Sequence, residues 1–309
     1  MIKTALISVS NKESIVDFAK QLSKLGVKIV STGNTAKLLK QSNINVALVS
    51  EITKFQEMLD GRIKSLHPSI VAGILADRKN KKHVEELKKL KINNIDLVVI
   101  NFYPFEDIIK NKPKIKEVIE NIDIGGSALV RAAAKNFESV IVIVDPNDYQ
   151  ESIEKIKNKK INNEDRVYLA SKAFSYTARY DAIISNYFNI INNNQFPEIL
   201  NLTFKKLQDL RYGENPHQIA SFYQDFSVNE SCVATAKQLQ GKELSFNNIL
   251  DVDAAFELVK EFEKPTAAVI KHTNPSGVAS ASTIEDAYKK AHETDSKSAF
   301  GSIVALNRN

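Results

Sequence analysis

Five short runs rich in β-branched and aliphatic residues recur in the first half of the chain: KTALISV (3–9), VKIVST (27–32), NVALV (45–49), DLVVIN (96–101) and SVIVIV (139–144). Each is apolar on both of its faces, so each needs cover from two sides, and the helical patterns between them, such as 82–90 and 127–136, supply it. Strands alternating with helices in this way predict a mostly parallel sheet with helices on both faces, an α/β fold. The first helix is expected to carry Ile15, Phe18, Ala19, Leu22 and Leu25 on one face, with Asn11 as its N-cap and Gly26 as its stop. In such sheets ligands bind beyond the carboxyl ends of the strands, and the polar clusters of this chain fall there.

After Asp145-Pro146 the pattern changes to a long helical stretch over 164–188, followed by INNNQFPEIL (191–200), which reads as a linker. A second α/β region starts near 201, with a helix expected at 251–262, a strand at 266–271 and a helix at 283–293, and it closes on SIVALNRN. Two domains are therefore expected, 1–195 and 196–309. With 309 residues, 43% hydrophobic and 26% charged, the chain can fill two cores and is too apolar for disorder. The single Cys232 excludes an internal disulfide, no Cys/His spacing suits zinc, and no metal is expected. The zinc-deaminase signature is missing as well. A signal peptide and a membrane-length apolar run are both missing, so a cytoplasmic protein without membrane insertion is expected. The net charge of +5 comes from 42 basic against 37 acidic residues, but only 7 of the basic residues are arginine. The lysine excess reads as solvated surface, and no nucleic-acid partner is expected.

Several clusters carry chemistry. STGNT (31–35) lies between a strand and a helix, where backbone N–H groups with the Thr32 and Thr35 hydroxyls can cradle a phosphate, although an ordinary capped turn fits equally well. GRIKSLHP (61–68) gathers Arg62, Lys64, Ser65 and His67, and a guanidinium with an ammonium two residues away can grip an anion. NFYPF (101–105) puts Asn101 and Tyr103 at a strand's carboxyl end, while Phe102 and Phe105 read as buried packing. In IDIGGSALVRAAAKN (122–136), Asp123 precedes a Gly125-Gly126 turn that opens a helix ending near Lys135. The second region offers LRYGENPHQ (210–218), KHTNPSG (271–277) with Lys271-His272 at a strand end, and SAFGS (298–302). Taken singly, a solvated basic turn, a surface helix lysine and a strand-end pair in solvent are the commoner readings of Lys64, Lys135 and His272.

In this order and spacing the motifs resemble the bifunctional purine-biosynthesis family, AICAR formyltransferase/IMP cyclohydrolase, from Ile2 to Arg308. The resemblance implies an N-terminal domain like methylglyoxal synthase that closes formyl-AICAR to IMP with loss of water and without a bound cofactor. It further implies that Ser10, Lys12, Thr32, Gly33, Thr35, Arg62, Lys64 and Ser65 hold the nucleotide and its phosphate. Asn101, Phe102, Asp123, Ile124, Gly125 and Gly126 would surround the base, with Lys135 transferring protons and Tyr103 and Lys64 assisting. For the second half it implies a cytidine-deaminase-like transferase domain that moves a formyl group from the cosubstrate 10-formyltetrahydrofolate to AICAR. There Arg211 and Tyr212 would bind AICAR, His272 would act as base assisted by Lys271, and Gly301 would lie at the folate site.

Members of the family continue well beyond the position of Asn309, so the second domain is expected to be incomplete and formyl transfer to be lost in this chain; a homodimer is expected from the family. The SIVAL strand is expected to be left uncovered. The sequence departs from the family pattern at Asn34, tolerated there if its backbone sits at positive φ, and at Ser65, Val71, Ser296 and Ser302. Two other readings share the phosphate cradle: a phosphate lyase of the methylglyoxal synthase type and a nucleotide-sensing regulatory domain.

Overall fold

The computed structural model describes residues 2–59, 61–110, 113–226, 228 and 230–308, so Asn309 lies outside the described residues. The chain divides into two compact units, 1–201 and 202–309. The first contains, in order, β1 (Thr4–Val9), α1 (Ile15–Lys24), β2 (Lys28–Ser31), α2 (Gly33–Gln41), β3 (Val46–Leu48), α3 (Val49–Thr53), α4 (Pro68–Leu75), α5 (Lys81–Lys89) and β4 (Leu97–Asn101). It continues through α6 (Phe105–Lys110), α7 (Ile115–Glu120), α8 (Ile124–Lys135), β5 (Ile141–Ile143), α9 (Tyr149–Lys157) and α10 (Asn163–Ile191).

The five strands pair in the order β3-β2-β1-β4-β5, and every pairing is parallel. Alternate residues of each strand face opposite layers. Leu6, Val98, Ile100 and Val142 pack with α4, α8 and α10, through residues such as Ile70, Leu129 and Ala173. Ala5, Ile7, Val99 and Ile143 pack with α1, α2 and α9, through Phe18, Leu39 and Ile153. The strand order reverses direction between β1 and β4, and at this switch point the two adjacent loops leave the sheet on opposite faces and open a crevice.

Two side chains of the 96–101 run pin β1 at both ends. At its start the carboxylate of the buried Asp96 accepts from the Lys3 amide at 2.6 Å and the Thr4 amide at 2.9 Å, while its other oxygen meets Arg78 at 2.7 Å. At its end the side-chain oxygen of the buried Asn101 accepts from the Ser10 amide at 2.6 Å and the Asn11 amide at 2.8 Å.

Some local expectations change. Asn11 does not cap α1: its side chain accepts from the Glu13 amide in a tight turn, and Ser14 precedes the helix in a left-handed conformation. Gly26 does end that helix, at φ 77°. Gly33 holds the positive φ of its turn, at 47°, which leaves Asn34 an ordinary residue in the first turn of α2. Val71 is half-buried and packs against the core, so an apolar side chain suits its position on α4.

The second unit contains β6 (Phe204–Leu210), β7 (Ala220–Asp225), α11 (Phe246–Lys260), β8 (Thr266–Lys271), β9 (Asn274–Ser280), α12 (Ile284–Thr294) and β10 (Ile303–Leu306). β6 and β7 form an antiparallel ribbon, and β10-β8-β9 form an antiparallel sheet. One face of that sheet packs on α11 through Ala255, Val259, Ala268 and Ile270, the other on α12 through Ala267, Val269, Ala287 and Ala291. α12 lies so close to β9 that a Cβ on Gly277 would sit 1.8 Å from the Ala291 carbonyl oxygen. The SIVAL segment is not bare, because Ile303 and Ala305 join the α11 layer while Val304 and Leu306 on the other face are 42% and 47% exposed.

Asp96→Ala would strand a mostly buried Arg78 cation and two strand amides. A loss of about 3–5 kcal/mol is expected, read by urea unfolding of the whole chain; a loss below about 1 kcal/mol would show that β1 is held by its ladder alone.

Candidate active site

At the carboxyl end of β1, the buried Thr35 hydroxyl donates to the Val9 carbonyl at 3.0 Å and accepts from the Val9 amide at 3.2 Å. It also accepts from the Lys12 ammonium at 3.0 Å, and Lys12 donates in addition to the Val9 carbonyl. The Thr32 hydroxyl meets that of Ser8 at 3.1 Å and makes no cap bond to α2. The first amides of α2 are thus left for a ligand. Burial pushes the Lys12 pKa down, and no carboxylate among the described residues pairs with it. A half-buried cation beside free helix amides is an anion site. Thr35 builds this cradle rather than lining it with a spare hydroxyl.

The second part of the site forms at the start of α8. Asp123 caps that helix, its Oδ1 accepting from the Gly126 amide at 2.7 Å. The expected Gly-Gly turn is instead the first turn of the helix. A Cβ on Gly126 would lie 2.6 Å from Asp123 Oδ2, and one on Gly125 would lie 3.1 Å from Ser65 Oγ. The two glycines let the carboxylate fold back over the helix and let the 61–67 loop close on it. The same loop brings Lys64 near enough for its charge to act on Asp123. Burial raises the Asp123 pKa, opposed by the Gly126 hydrogen bond and by the Lys64 charge. A carboxyl group with a raised pKa beside an exposed ammonium is equipped to exchange protons.

Two tyrosines that sequence reasoning missed hold these parts together. The Tyr176 hydroxyl accepts from the Phe102 amide at 2.8 Å, and the Tyr180 hydroxyl accepts from the Asp123 amide at 2.8 Å. They lie one helical turn apart on α10, and the Phe102 ring sits 4.7 Å from both rings. The only sequence signal is their spacing of four in YTARY, inside a helix where such spacing is unremarkable. Desolvation raises both phenol pKa values, that of Tyr180 to about 12, so both stay neutral.

A continuous path therefore runs from Ser10 through Asn101, Phe102 and the tyrosines to Asp123. Tyr103 and Ile124 border it, 57% and 64% exposed. Three expectations need correction. Asn101 has both donors it accepts from in the Ser10–Asn11 loop, so it shapes the crevice rather than presenting its oxygen to a base. The Phe102 side chain is 4% exposed and belongs to the core, leaving only its backbone for contact. Lys135 is not near Asp123: the two stand at opposite ends of α8, about 18 Å apart along its axis, and α8 returns toward the amino ends of the strands. Arg62 is exposed and bridges to Glu120, so it stands at the rim.

In the second unit α11 gathers the expected residues. Its first residue, Phe246, donates its amide to the Tyr212 carbonyl at 3.2 Å, and Asp251 accepts from the Thr273 amide at 2.8 Å. The Arg211 guanidinium lies 5.1 Å over the Tyr212 ring. His272 and Thr273 form the two-residue turn between β8 and β9 with φ 52° and 61°, a conformation that normally selects Asn-Gly. Holding it with a histidine costs strain and displays the imidazole at the turn tip. Lys271 donates to the Phe300 carbonyl at 3.0 Å, beside Gly301 at φ 74° with no atom within 4 Å of its would-be Cβ.

A family model described as AICARFT/IMPCHase bienzyme matches residues 133–309, more than half of the chain. The chain belongs to this bienzyme family. A model of the MGS-like domain matches residues 14–128, the domain with which bienzyme chains begin. The chain is 52% identical over 311 residues to the bifunctional purine biosynthesis protein PurH of Acetivibrio thermocellus, and 54% identical over 310 residues to that of Thermoanaerobacter sp. strain X514. Both alignments cover 100% of this chain and 60% and 61% of the relatives, so the chain spans about 60% of the length of the bienzymes it matches. A crystal structure of ForH superposes with a TM-score of 0.56 at 31% identity, over 60% of this chain and 97% of that one. No helix among the described residues is long and apolar enough to cross a membrane.

Two measurements test this geometry. Tyr180→Phe keeps the ring and deletes the acceptor for the Asp123 amide, with an expected loss of about 1–3 kcal/mol and faster hydrogen exchange at that amide; unchanged exchange would remove the tyrosine from the site's support. Asp123→Asn retains the cap, since Asn caps as well as Asp. A carboxyl whose folded pKa lies above its unfolded value gives stability at low pH and loses it as pH rises through the folded pKa. The Asn variant should therefore gain on the parent as pH rises through the range above 3.8, and a pH-independent difference would contradict the raised pKa.

Proposed function

We propose that the first unit is an IMP cyclohydrolase, acting in the cytoplasm on formyl-AICAR. The observation that carries this reading is the Lys64 charge acting on the buried Asp123, with a separate, unneutralised cation at Lys12 in the loop that leaves β1 beside the switch point of the parallel sheet. The phosphate sits on Lys12 and the α2 amides, and the base extends toward α8. Ring closure joins the carboxamide nitrogen to the formyl carbon. The carboxamide gives up one proton and the formamido nitrogen another, and both leave with the former formyl oxygen as water. Asp123 takes and returns these protons, while the Lys64 ammonium steadies the oxyanion of the tetrahedral intermediate. Tyr103, exposed beside them, donates to the base. Lys135 is not retained in this chain's own site because of its place at the far end of α8.

Formyl transfer from 10-formyltetrahydrofolate to AICAR is proposed for the whole bienzyme, with Arg211 and Tyr212 on the AICAR side, His272 as base and Lys271 assisting. The open space at Gly301 suits close approach of the folate. A homodimer is proposed from the family. The lyase and nucleotide-sensor readings are set aside, because neither gives a task to the second unit or to Asp123 with Lys64.

Asp123→Asn should lower the turnover of formyl-AICAR by on the order of 10²–10⁴ while IMP affinity changes little. Lys12→Met should do the reverse, weakening IMP binding on the order of 10–100-fold. If Asp123→Asn turned over normally, the proton role would have to be sought elsewhere; if Lys12→Met bound IMP normally, the cradle would be misplaced.

A further inference from the structure

A second cavity, of about 580 Å³, opens at the amino-terminal edge of the same sheet. Six residues of β1 separate it from the crevice described above, about 20 Å of extended chain. One wall is apolar, formed by Ile2, Leu25, Val27, Ile156 and Ile161. The other carries Arg78, Arg166, Lys155, Lys157 and Lys159 against the single carboxylate of Asp96.

That carboxylate has no capacity left for the rest. It already accepts from two backbone amides and from Arg78. Lys155 is neutralised by Glu151 and Asp165, at 2.6 Å each. Lys157 stands in the last turn of α9, where carbonyl ends favour a cation. With these assigned, a surplus remains. Among the described residues the Arg166 side chain donates only to the Phe137 carbonyl, at 3.1 Å; it is half-buried and feels the charge of Arg78. Arg78 is committed to Asp96 and to the Ile95 carbonyl at 2.8 Å, with its Nε buried away from the cavity, whereas Lys159 has no acidic partner among the described residues. The Arg166 guanidinium, half-buried beside the like charge of Arg78 and with donors to spare, is therefore the group left for an anion.

We propose that this cavity is a second small-molecule site that takes a phosphorylated ligand of nucleotide size. The phosphate lies on Arg166 and Lys159, which suit it by fork and by point charge. The ring lies on the isoleucine and valine wall, and the volume is that of ordinary ligand pockets. The site does not depend on the ring-closing reading, since none of its residues lies in that crevice.

Calorimetric titration of the whole chain with ADP as probe tests it, with adenosine and inorganic phosphate as further arms. ADP is expected to bind, Arg166→Gln to weaken that binding by about tenfold or more, and Lys12→Met to leave it unchanged. Phosphate is expected to compete with ADP and adenosine to bind far more weakly. Lys159→Gln alters only a surface side chain and should weaken ADP severalfold even if Arg166→Gln fails to fold. The proposal is overturned if ADP does not bind below about 1 mM, if Lys12→Met rather than the cavity variants abolishes binding, or if adenosine binds as well as ADP.

Discussion

The pairing of β1 with β4 is held by side chains at its two ends as well as by its ladder. Asp96 fixes the amides that begin β1, and Asn101 fixes the amides that follow its end. A parallel pair can slip in register at modest cost unless something marks its ends, and here both marks come from the same six-residue run. The consequence reaches the chemistry directly. By holding Ser10 and Asn11, the Asn101 amide sets where Lys12 emerges, and Lys12 in turn shares the Thr35 hydroxyl that closes the proposed phosphate cradle.

The helix α10 adds the second constraint. Arg179 bridges to Glu106, and Lys172 bridges to Asp145 at 2.7 Å and Asp148 at 2.8 Å, so the helix is tied to both flanking segments. From that fixed platform Tyr176 and Tyr180 hold the backbone at Phe102 and Asp123. The buried aromatic cluster they form with Phe102 packs beside the Asp123 backbone, and burial at this junction raises the Asp123 pKa. Packing, in this way, sets the protonation behaviour of a residue that no aromatic ring contacts as a reactant.

Much of this was legible in the sequence. The alternation of apolar runs with helical patterns gave the parallel sheet, because residues covered on both faces leave no polar side to read otherwise. Asp123 and Lys64 were found as members of motifs, and Lys12 through the family resemblance. What escaped was whatever depends on the third dimension. Asn11 and Asn34 were assigned by residue type, whereas Gly33 and Ser14 carry the unusual backbone. Lys135 belonged to the same motif as Asp123, yet twelve helical residues carry it to the opposite edge of the sheet. Tyr176 and Tyr180 lie far from every motif and matter only because α10 crosses the ends of β4 and α8. Asn101 was legible as a polar residue at a strand end, but its amide turned out to bind the protein's own backbone.

The reaction proposed for the switch-point crevice of this chain is closure of a purine ring. The most direct measurement is to incubate the purified chain with formyl-AICAR and follow IMP by its absorbance. IMP is expected to form above the uncatalysed rate, with saturation in formyl-AICAR and competition by IMP. A folded chain that binds IMP but leaves formyl-AICAR open would contradict it.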